Sequence, residues 1–192
     1  MAGRGLFLDR DGTLMVDTGY VRDPADVKLL PGVAEALLQA RALGFELVVV
    51  SNQSGVARGL ISLAQLEAVQ SRFELLVAEA GVTFDDVRFC IHGPDDGCSC
   101  RKPAPGLLRE AAAARGIDLE RSVMVGDRES DVVAGRTAGC TTILLEGKSS
   151  SADYVVRSLT DAVAILRTLC PCRGSPTSSK HSPVATSWSS AT

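Results

Sequence analysis

Short runs of β-branched and other apolar residues alternate along this chain with longer amphipathic stretches. The predicted strands span residues 5–9, 45–51, 86–90, 122–127 and 141–146, and the predicted helices span 31–44, 62–81, 104–116, 129–139 and 158–169. Strands and helices in this order form βαβ units, in which the strands are parallel and helices cover both faces of the sheet. The sequence therefore predicts a Rossmann-like α/β fold with a mainly parallel sheet.

Length and charge set further bounds on the protein. A chain of 192 residues suits one domain with a sizeable core, and we predict a single domain over 1–172 and a disordered, Ser/Thr-rich tail over 173–192. The formal net charge of -3 argues against a broad basic surface for nucleic acid or anionic membrane. We expect a small-molecule ligand, no nucleic-acid or membrane partner, and a monomer.

The distribution of apolar residues and cysteines bears on the cellular compartment. The N-terminal segment lacks an apolar signal-peptide region, and no run approaches the ~18 apolar residues of a membrane span. We therefore expect a cytoplasmic protein. In a reducing compartment, six cysteines are more often metal ligands or bystanders than disulfide partners, so their spacing is more informative than their number.

Polar segments follow four of the predicted strands. They are DRDGT at 9–13, SNQSG at 51–55, CIHGPDDGCSCRK at 90–102 and GDRESD at 126–131. Ligands of such sheets bind at the carboxyl ends of the strands. We therefore expect the four segments to meet at one edge of the sheet and to form the functional site there.

The first polar segment places two aspartates two residues apart. Carboxylates this close repel each other unless a cation lies between them, and Asp9, Asp11 and Asp127 together offer the oxygen ligands that Mg²⁺ prefers. Asp9 is the candidate nucleophile for an aspartyl-phosphate, and Asp11 is the candidate general acid and base. A D-x-D-G segment taken alone can equally cap a turn, so this interpretation depends on the other segments.

Two further segments carry groups that can hold a phosphoryl group. Ser51 and Asn52 follow the second strand, where a hydroxyl and nearby backbone N–H groups can bind phosphoryl oxygens. Arg101 and Lys102 supply positive charge for a phosphoryl-transfer transition state. Taken alone, the first pair would suit an ordinary turn and the second a solvated surface.

A cluster of cysteines and one histidine lies in the third polar segment. The candidate ligands, in a C-x-H-x5-C-x-C pattern, are Cys90, His92, Cys98 and Cys100. Three thiolates and one imidazole form a closed tetrahedral set for a structural Zn²⁺. The alternative is three buried cysteines and a surface histidine in a Gly/Pro loop. We expect Cys140 to be a bystander and predict no second metal site at Cys170 and Cys172.

The order of these segments resembles the motif order of the haloacid-dehalogenase-like (HAD) phosphotransferase superfamily, with Lys102 as its third motif. The Cys/His pattern narrows the resemblance to the zinc-bearing group of D-glycero-D-manno-heptose 1,7-bisphosphate phosphatases and histidinol-phosphate phosphatases. NQSGVARG at 52–59 and DTGY at 17–20 are similar to segments of the heptose enzymes, whereas the histidinol enzymes tend to NQDG. The resemblance covers residues 5–147.

The resemblance implies a Mg²⁺-dependent phosphatase without a large cap domain, which removes the 7-phosphate of a heptose 1,7-bisphosphate. It implies that Asp9, the backbone carbonyl of Asp11, and Asp127 hold Mg²⁺, while Asp131 lies behind them. Ser51, Arg101 and Lys102 would stabilise the phosphoryl group, and the zinc loop would shape the pocket. The implied substrate-binding residues are Asp17, Thr18, Gly19, Tyr20, Ser51, Asn52, Gln53, Ser54, Arg101, Lys102 and Arg128.

Three other functions stay open from the sequence. Histidinol-phosphate phosphatase is the alternative within the family. A 3′-phosphatase of nucleic-acid ends shares the D-x-D-G-T segment but is disfavoured by the acidic balance. A catalytically inactive zinc-binding interaction module would be expected to have lost a catalytic group. The sequence retains all of them: Asp9, Asp11, Ser51, Lys102 and Asp127.

Overall fold

The computed structural model describes residues 2–147 and 151–169. The predicted tail at 173–192 lies outside the described residues, as do Cys170 and Cys172. Within the described part of the chain, no helix is both long enough and apolar enough to cross a membrane.

Six strands and five α-helices alternate along the chain. The strands are β1 (Arg4–Leu8), β2 (Phe45–Asn52), β3 (Asp86–Cys90), β4 (Val123–Gly126), β5 (Thr141–Leu145) and β6 (Tyr154–Val156). The α-helices are α1 (Val33–Ala42), α2 (Leu63–Glu79), α3 (Gly106–Arg115), α4 (Glu129–Ala138) and α5 (Leu159–Leu169). Short 3₁₀ helices lie at Pro24–Asp26 and Leu119–Arg121.

The strands form one parallel sheet in the order β3-β2-β1-β4-β5-β6. This confirms the predicted α/β architecture, and each of the ten predicted elements is present with bounds shifted by a few residues at most. The sequence analysis missed β6, because a three-residue strand at the edge of the sheet has too few alternating positions to produce a pattern. The strand order reverses between β1 and β4. The chain segments that follow these two neighbouring strands therefore lead in opposite directions, which leaves a crevice at the carboxyl ends of the strands.

Two apolar layers hold the sheet between its helices. Successive residues of a strand point to opposite faces, so Leu6 and Leu8 pack into a core with α1, α2 and α5, while Phe7 packs against α3 and α4. All three side chains are buried. Because β1 is covered on both faces, the loop that follows it starts from a fixed position.

The segment between β1 and α1 folds back as a short flap over the sheet edge. Its two arms are joined where Val16 N donates to Lys28 O at 2.9 Å and Leu30 N donates to Leu14 O at 3.0 Å. No second sheet or helical domain is inserted between the strands of the part that the structure describes. The site is therefore bordered by the flap and by the loop after β3.

Candidate active site

The centre of the site is built from the ends of three adjacent strands. Asp9 directly follows β1, and its N–H donates to Val125 O of β4 at 3.0 Å, which continues the strand pairing by one residue. Ser51 and Asn52 are the last residues of β2, and Asp127 directly follows β4. The topology thus brings together segments that the sequence separates widely.

Lys102 reaches this centre from the loop after β3, and its ammonium group is buried. The Nζ atom lies 2.6 Å from Asp9 Oδ1 and 2.7 Å from Asp131 Oδ1, and it donates to Val50 O at 2.7 Å. These three partners use all three N–H bonds of the ammonium group. The geometry therefore fixes a positive charge directly beside the candidate nucleophile.

The carboxylates of this centre outnumber its lysine. Burial acts to lower the pKa of Lys102, but Asp9 and Asp131 outweigh it and raise that pKa above its usual range. Burial raises the pKa of Asp9 to about 7, because Lys102 lowers it only in part and Asp131 raises it further. One ammonium group cannot neutralise both carboxylates, so the centre carries negative charge in excess.

Asp127 adds a third carboxylate to this cluster. Its Oδ1 atom is buried without a hydrogen-bond partner among the described residues, and burial, followed by repulsion from Asp131, raises its pKa. Oxygen atoms of Asp9, Asp127 and Asp131 lie within 4.8 Å of one another. A partnerless buried oxygen and excess negative charge fit a divalent cation with oxygen ligands.

Gly12 allows the DRDGT segment at 9–13 to approach the GDRESD segment at 126–131. Its φ of +86° lies in the left-handed region, and a Cβ atom at this position would collide with the carboxylate of Asp127. A larger residue would therefore push the two halves of the carboxylate cluster apart.

Asp11 is held away from the lysine by a separate set of donors. Gln53 Nε2 donates to Asp11 Oδ2 at 2.6 Å, and Arg10 forms an ion pair with Asp11 at 3.1 Å. Gln53 Nε2 also donates to Ser51 Oγ at 2.9 Å. The side chain of Asp11 thus stands apart from the carboxylate cluster, in the arrangement that a proton-transfer group would need.

Asn52 forms a clamp on the backbone of Lys102. Its Nδ2 donates to Lys102 O at 2.9 Å, and its Oδ1 accepts from Lys102 N at 3.0 Å. Sequence reasoning placed Asn52 among the substrate-binding residues. It does line the cavity, but its amide is already occupied with holding the loop that carries Lys102.

A cavity of about 710 Å³ opens above these groups. Eleven predicted site residues belong to its lining: Asp9, Asp11, Asp17, Gly19, Tyr20, Asn52, Gln53, Ser54, Arg101, Lys102 and Arg128. Thr18 and Ser51 are not among the lining residues, and Ser51 is buried beneath the floor. Asp127 lines an adjoining cavity of about 570 Å³ instead.

Ion pairs and hydrogen bonds join the flap to the rest of the rim. Arg128 Nη2 lies 2.7 Å from Asp17 Oδ2, and Arg58 Nη1 donates to Tyr20 Oη at 3.2 Å. The Arg128 side chain is 64% exposed, so it can reorient toward an anion that enters the cavity.

Several lining residues were missed by sequence reasoning. They are Gly93, Pro94, Gly97, Pro103, Ala104 and Ser130. Gly93, Pro94 and Gly97 lie in the Cys/His loop, which borders the cavity as we expected for that loop as a whole. Small residues in a loop have no chemical signature of their own, so only the position of the loop identifies them.

The four predicted zinc ligands converge in this loop. The Sγ atom of Cys90 lies 3.7 Å from that of Cys98 and 3.2 Å from that of Cys100, and His92 Nδ1 lies 3.2 Å from Cys100 Sγ. With Zn–S bonds of ~2.3 Å, tetrahedral thiolates stand ~3.8 Å apart. The spacing and the three free thiols fit a tetrahedral Zn²⁺ site.

The Cys/His cluster is connected to the cavity through Arg101. This residue follows Cys100 directly, and its Nη1 donates to His92 O at 3.3 Å. The cluster therefore fixes the position from which both Arg101 and Lys102 extend.

The fold and this constellation of carboxylates and lysine define a phosphotransferase-type site, and comparisons with known proteins agree. The HAD-hydrolase-like family model matches residues 99–164. A D-glycero-β-D-manno-heptose-1,7-bisphosphate 7-phosphatase from Helicobacter pylori is 43% identical over 143 residues, which cover 74% of this chain and 83% of that protein. Its namesake from Yersinia pestis is 38% identical over 171 residues, which cover 81% and 91%.

A solved structure supports the same assignment. The D,D-heptose 1,7-bisphosphate phosphatase from B. bronchiseptica, complexed with magnesium and phosphate, aligns with a TM-score of 0.78 at 33% identity and covers 86% of this chain and 98% of that one. The chain described here belongs to the heptose 1,7-bisphosphate phosphatase family of HAD-like hydrolases.

Proposed function

We propose that this protein is a Mg²⁺-dependent phosphatase that hydrolyses the 7-phosphate of D-glycero-D-manno-heptose 1,7-bisphosphate, with the β anomer as its preferred substrate. The observation that carries the proposal is the buried Asp9–Lys102–Asp131 centre at the floor of a cavity in a chain of this family. The β anomer is the one specified in the names of the H. pylori and Y. pestis relatives. The step belongs to the biosynthesis of nucleotide-activated heptose.

The carboxylate cluster would hold the catalytic Mg²⁺. Asp9, Asp127 and the backbone carbonyl of Asp11 are the proposed ligands, and Asp131 orients Lys102 beside them. When bound, the ion neutralises charge on the phosphoryl oxygens and leaves positions for substrate and water. The excess negative charge of the cluster supports this assignment.

In the first step, a carboxylate oxygen of Asp9 attacks phosphorus, and the bond between phosphorus and the sugar oxygen breaks. Asp11 gives its proton to the leaving oxygen, which departs as the sugar hydroxyl. Lys102 stabilises the phosphoryl oxygens through its fixed positive charge. Ser51 Oγ accepts from Gln53 Nε2 at 2.9 Å and donates only weakly to Asp11 Oδ2, at 3.4 Å, so its O–H can turn toward a phosphoryl oxygen.

In the second step, Asp11 takes a proton from water as the water oxygen attacks phosphorus. The bond from phosphorus to Asp9 breaks, inorganic phosphate leaves, and both aspartates return to their initial states. Splitting the displacement in this way lowers each barrier. Arg101 and Arg128, at the rim of the cavity, would face the second phosphate and the sugar.

The Cys/His cluster would hold a structural Zn²⁺ through its three thiolates and one imidazole. These four ligands leave no open coordination position, so the metal would take no part in the chemistry. Its role would be to hold the loop that presents Arg101 and Lys102.

The proposal is tested by measuring Mg²⁺-dependent phosphate release from the α and β anomers of heptose 1,7-bisphosphate and from histidinol phosphate. We expect the β bisphosphate to have the highest kcat/KM. A preference for the α anomer would overturn the anomer assignment alone. A preference for histidinol phosphate would overturn the substrate class and favour the alternative within the family.

A further inference from the structure

Arg10 lies between Asp9 and Asp11 in the sequence, and it takes no part in the two chemical steps proposed for the phosphatase. Its side chain is 2% exposed, and it does not line the cavity, so it does not serve as a substrate-binding cation. Burying a guanidinium group is costly unless its N–H groups are paired. The partners of Arg10 therefore indicate what it is buried for.

The guanidinium group is anchored by residues that do not line the cavity. Its Nη1 donates to Gln70 Oε1 of α2 at 3.2 Å, and Gln70 Nε2 in turn donates to Glu74 Oε1 at 2.9 Å. The guanidinium carbon lies 5.4 Å from the centre of the Phe89 ring of β3. A helix and a strand thus fix its position and plane.

The remaining donors of Arg10 face Asp11. The Nε atom donates to Asp11 Oδ2 at 3.2 Å, and Nη2 lies 3.2 Å from Oδ1 and 3.1 Å from Oδ2. Gln53 adds the 2.6 Å bond to Oδ2. Among the described residues, Oδ1 accepts only the bond from Arg10 Nη2, so it is the less occupied of the two oxygens.

We propose that Arg10 is a positioning residue for the proton-transfer steps, which fixes the plane of the Asp11 carboxylate so that Oδ1 faces the reacting oxygens. This inference rests on the proposed phosphatase function. A planar fork can hold both oxygens of a carboxylate in one plane, which a lysine ammonium group cannot do. Arg10 therefore acts through Asp11 and touches neither substrate nor phosphoryl group.

When the leaving group needs no proton, only the second of the two chemical steps depends on Asp11. With p-nitrophenyl phosphate, the bond to phosphorus breaks to release nitrophenolate, which needs no proton from Asp11. Hydrolysis of the aspartyl-phosphate still requires Asp11 to take the proton of the attacking water. Misplacing Asp11 should therefore slow the second step and leave the first step nearly unchanged.

The test is rapid-mixing kinetics of Arg10→Met with p-nitrophenyl phosphate and Mg²⁺. We expect a burst of about one nitrophenolate per chain at a rate within about 3-fold of the wild-type first step, followed by turnover at least about tenfold slower than wild type. Acid-quenched protein should carry a phosphoryl group on Asp9, detected by mass spectrometry. Arg72→Met, the same change at an Arg of α2 whose side chain is 40% exposed, is the matched control and should behave as wild type.

A second variant covers the case in which Arg10→Met does not fold. Gln70→Leu keeps Arg10 and removes one of its anchors, and we expect the same split between burst and turnover at a smaller size, about 3-fold or more. Equal reduction of both steps in an otherwise folded variant, or no change in either step, would overturn the positioning role. A wild-type protein that releases phosphate from none of the monoesters would overturn the proposed function itself, and that result is distinct from an active enzyme without the split.

Discussion

The carboxylate cluster at the sheet edge and the Cys/His cluster after β3 are both sets of side chains that could hold a metal ion, but they are assembled in opposite ways. Asp9 and Asp127 come from distant parts of the chain and meet because β1 and β4 are neighbours in the sheet. The Cys/His ligands come from one short stretch of chain, the last residue of β3 and the loop that follows it, between Cys90 and Cys100. The first cluster is thus a product of the whole fold, and the second is a local feature.

The two clusters also differ in how their charge is balanced. Lys102 lies within the carboxylate cluster and pairs with two of its members, so part of the negative charge is neutralised by the protein itself. In the part of the chain that the structure describes, the thiols of the Cys/His cluster form side-chain contacts with one another and with His92, and no lysine or arginine takes the place that Lys102 has in the carboxylate cluster. We therefore expect the carboxylate cluster to keep its structure without its metal and the Cys/His loop to lose its structure without its metal.

The largest effect is expected from Asp9→Asn, which removes the nucleophile and leaves an isosteric side chain. Phosphate release should fall by about 10⁴-fold or more, while the far-UV circular dichroism spectrum and the zinc content stay as in wild type. Asp26→Asn changes the same chemical group on an exposed 3₁₀ helix and should keep full activity. Activity of the Asp9 variant within tenfold of wild type would exclude Asp9 as the nucleophile.

Removing each metal separately tests the contrast between the clusters directly. Withdrawal of Mg²⁺ should abolish phosphate release, shift the Tm by less than about 2 °C, and be reversed by adding Mg²⁺. Removal of Zn²⁺ with a zinc chelator should lower the Tm by about 5 °C or more, because the metal joins the two ends of the loop. Activity should then fail to recover with Mg²⁺ alone.

A pair of cysteine variants serves as the control for zinc removal. Cys100→Ala should bind less than about 0.1 Zn²⁺ per chain by elemental analysis, because three ligands hold the ion far less tightly than four. Cys140→Ala also loses a thiol, but it should keep one Zn²⁺ and lose only about 1–2 kcal/mol of stability from the small cavity. Full zinc content in Cys100→Ala would place the metal elsewhere.

A smaller effect is expected from Asn52→Ala, which removes the clamp on Lys102. We expect kcat to fall about tenfold while KM changes less than about 3-fold, because the lysine loop loses two hydrogen bonds and the ammonium group loses its alignment. Asn52→Asp keeps the acceptor for Lys102 N, so its kcat should lie between the values of wild type and Asn52→Ala. A raised KM with unchanged kcat would instead show that Asn52 contacts the substrate, as the sequence predicts.

The two clusters also show how far sequence reasoning reaches. The Cys/His cluster could be predicted from spacing alone, since its ligands are close in the chain and thiols are rare. The convergence of Asp9, Lys102 and Asp127 needed the parallel topology as an intermediate step, and the alternating pattern supplied it. What could not be predicted depends on side-chain partners: the clamp by Asn52, the anchoring of Arg10 on Gln70, and the lining residues contributed by small loop positions.

The smallest effect concerns Cys140, which is free like the Cys/His thiols but has no ligand partner. Burial raises the pKa of its thiol to about 12, so the reactive thiolate is scarce below that pH. We expect the Cys140 peptide to remain unmodified when the zinc-loaded protein is treated with iodoacetamide at pH 8, and to be modified fully in denaturant, as measured by mass spectrometry. Raising the pH to 9 should change this little, because the folded-state pKa lies well above both values.

Rapid modification of Cys140 in the folded protein would mean that α4 and β5 separate readily around it. If only the Cys/His thiols become reactive when zinc is removed, the local character of that cluster is established independently of activity.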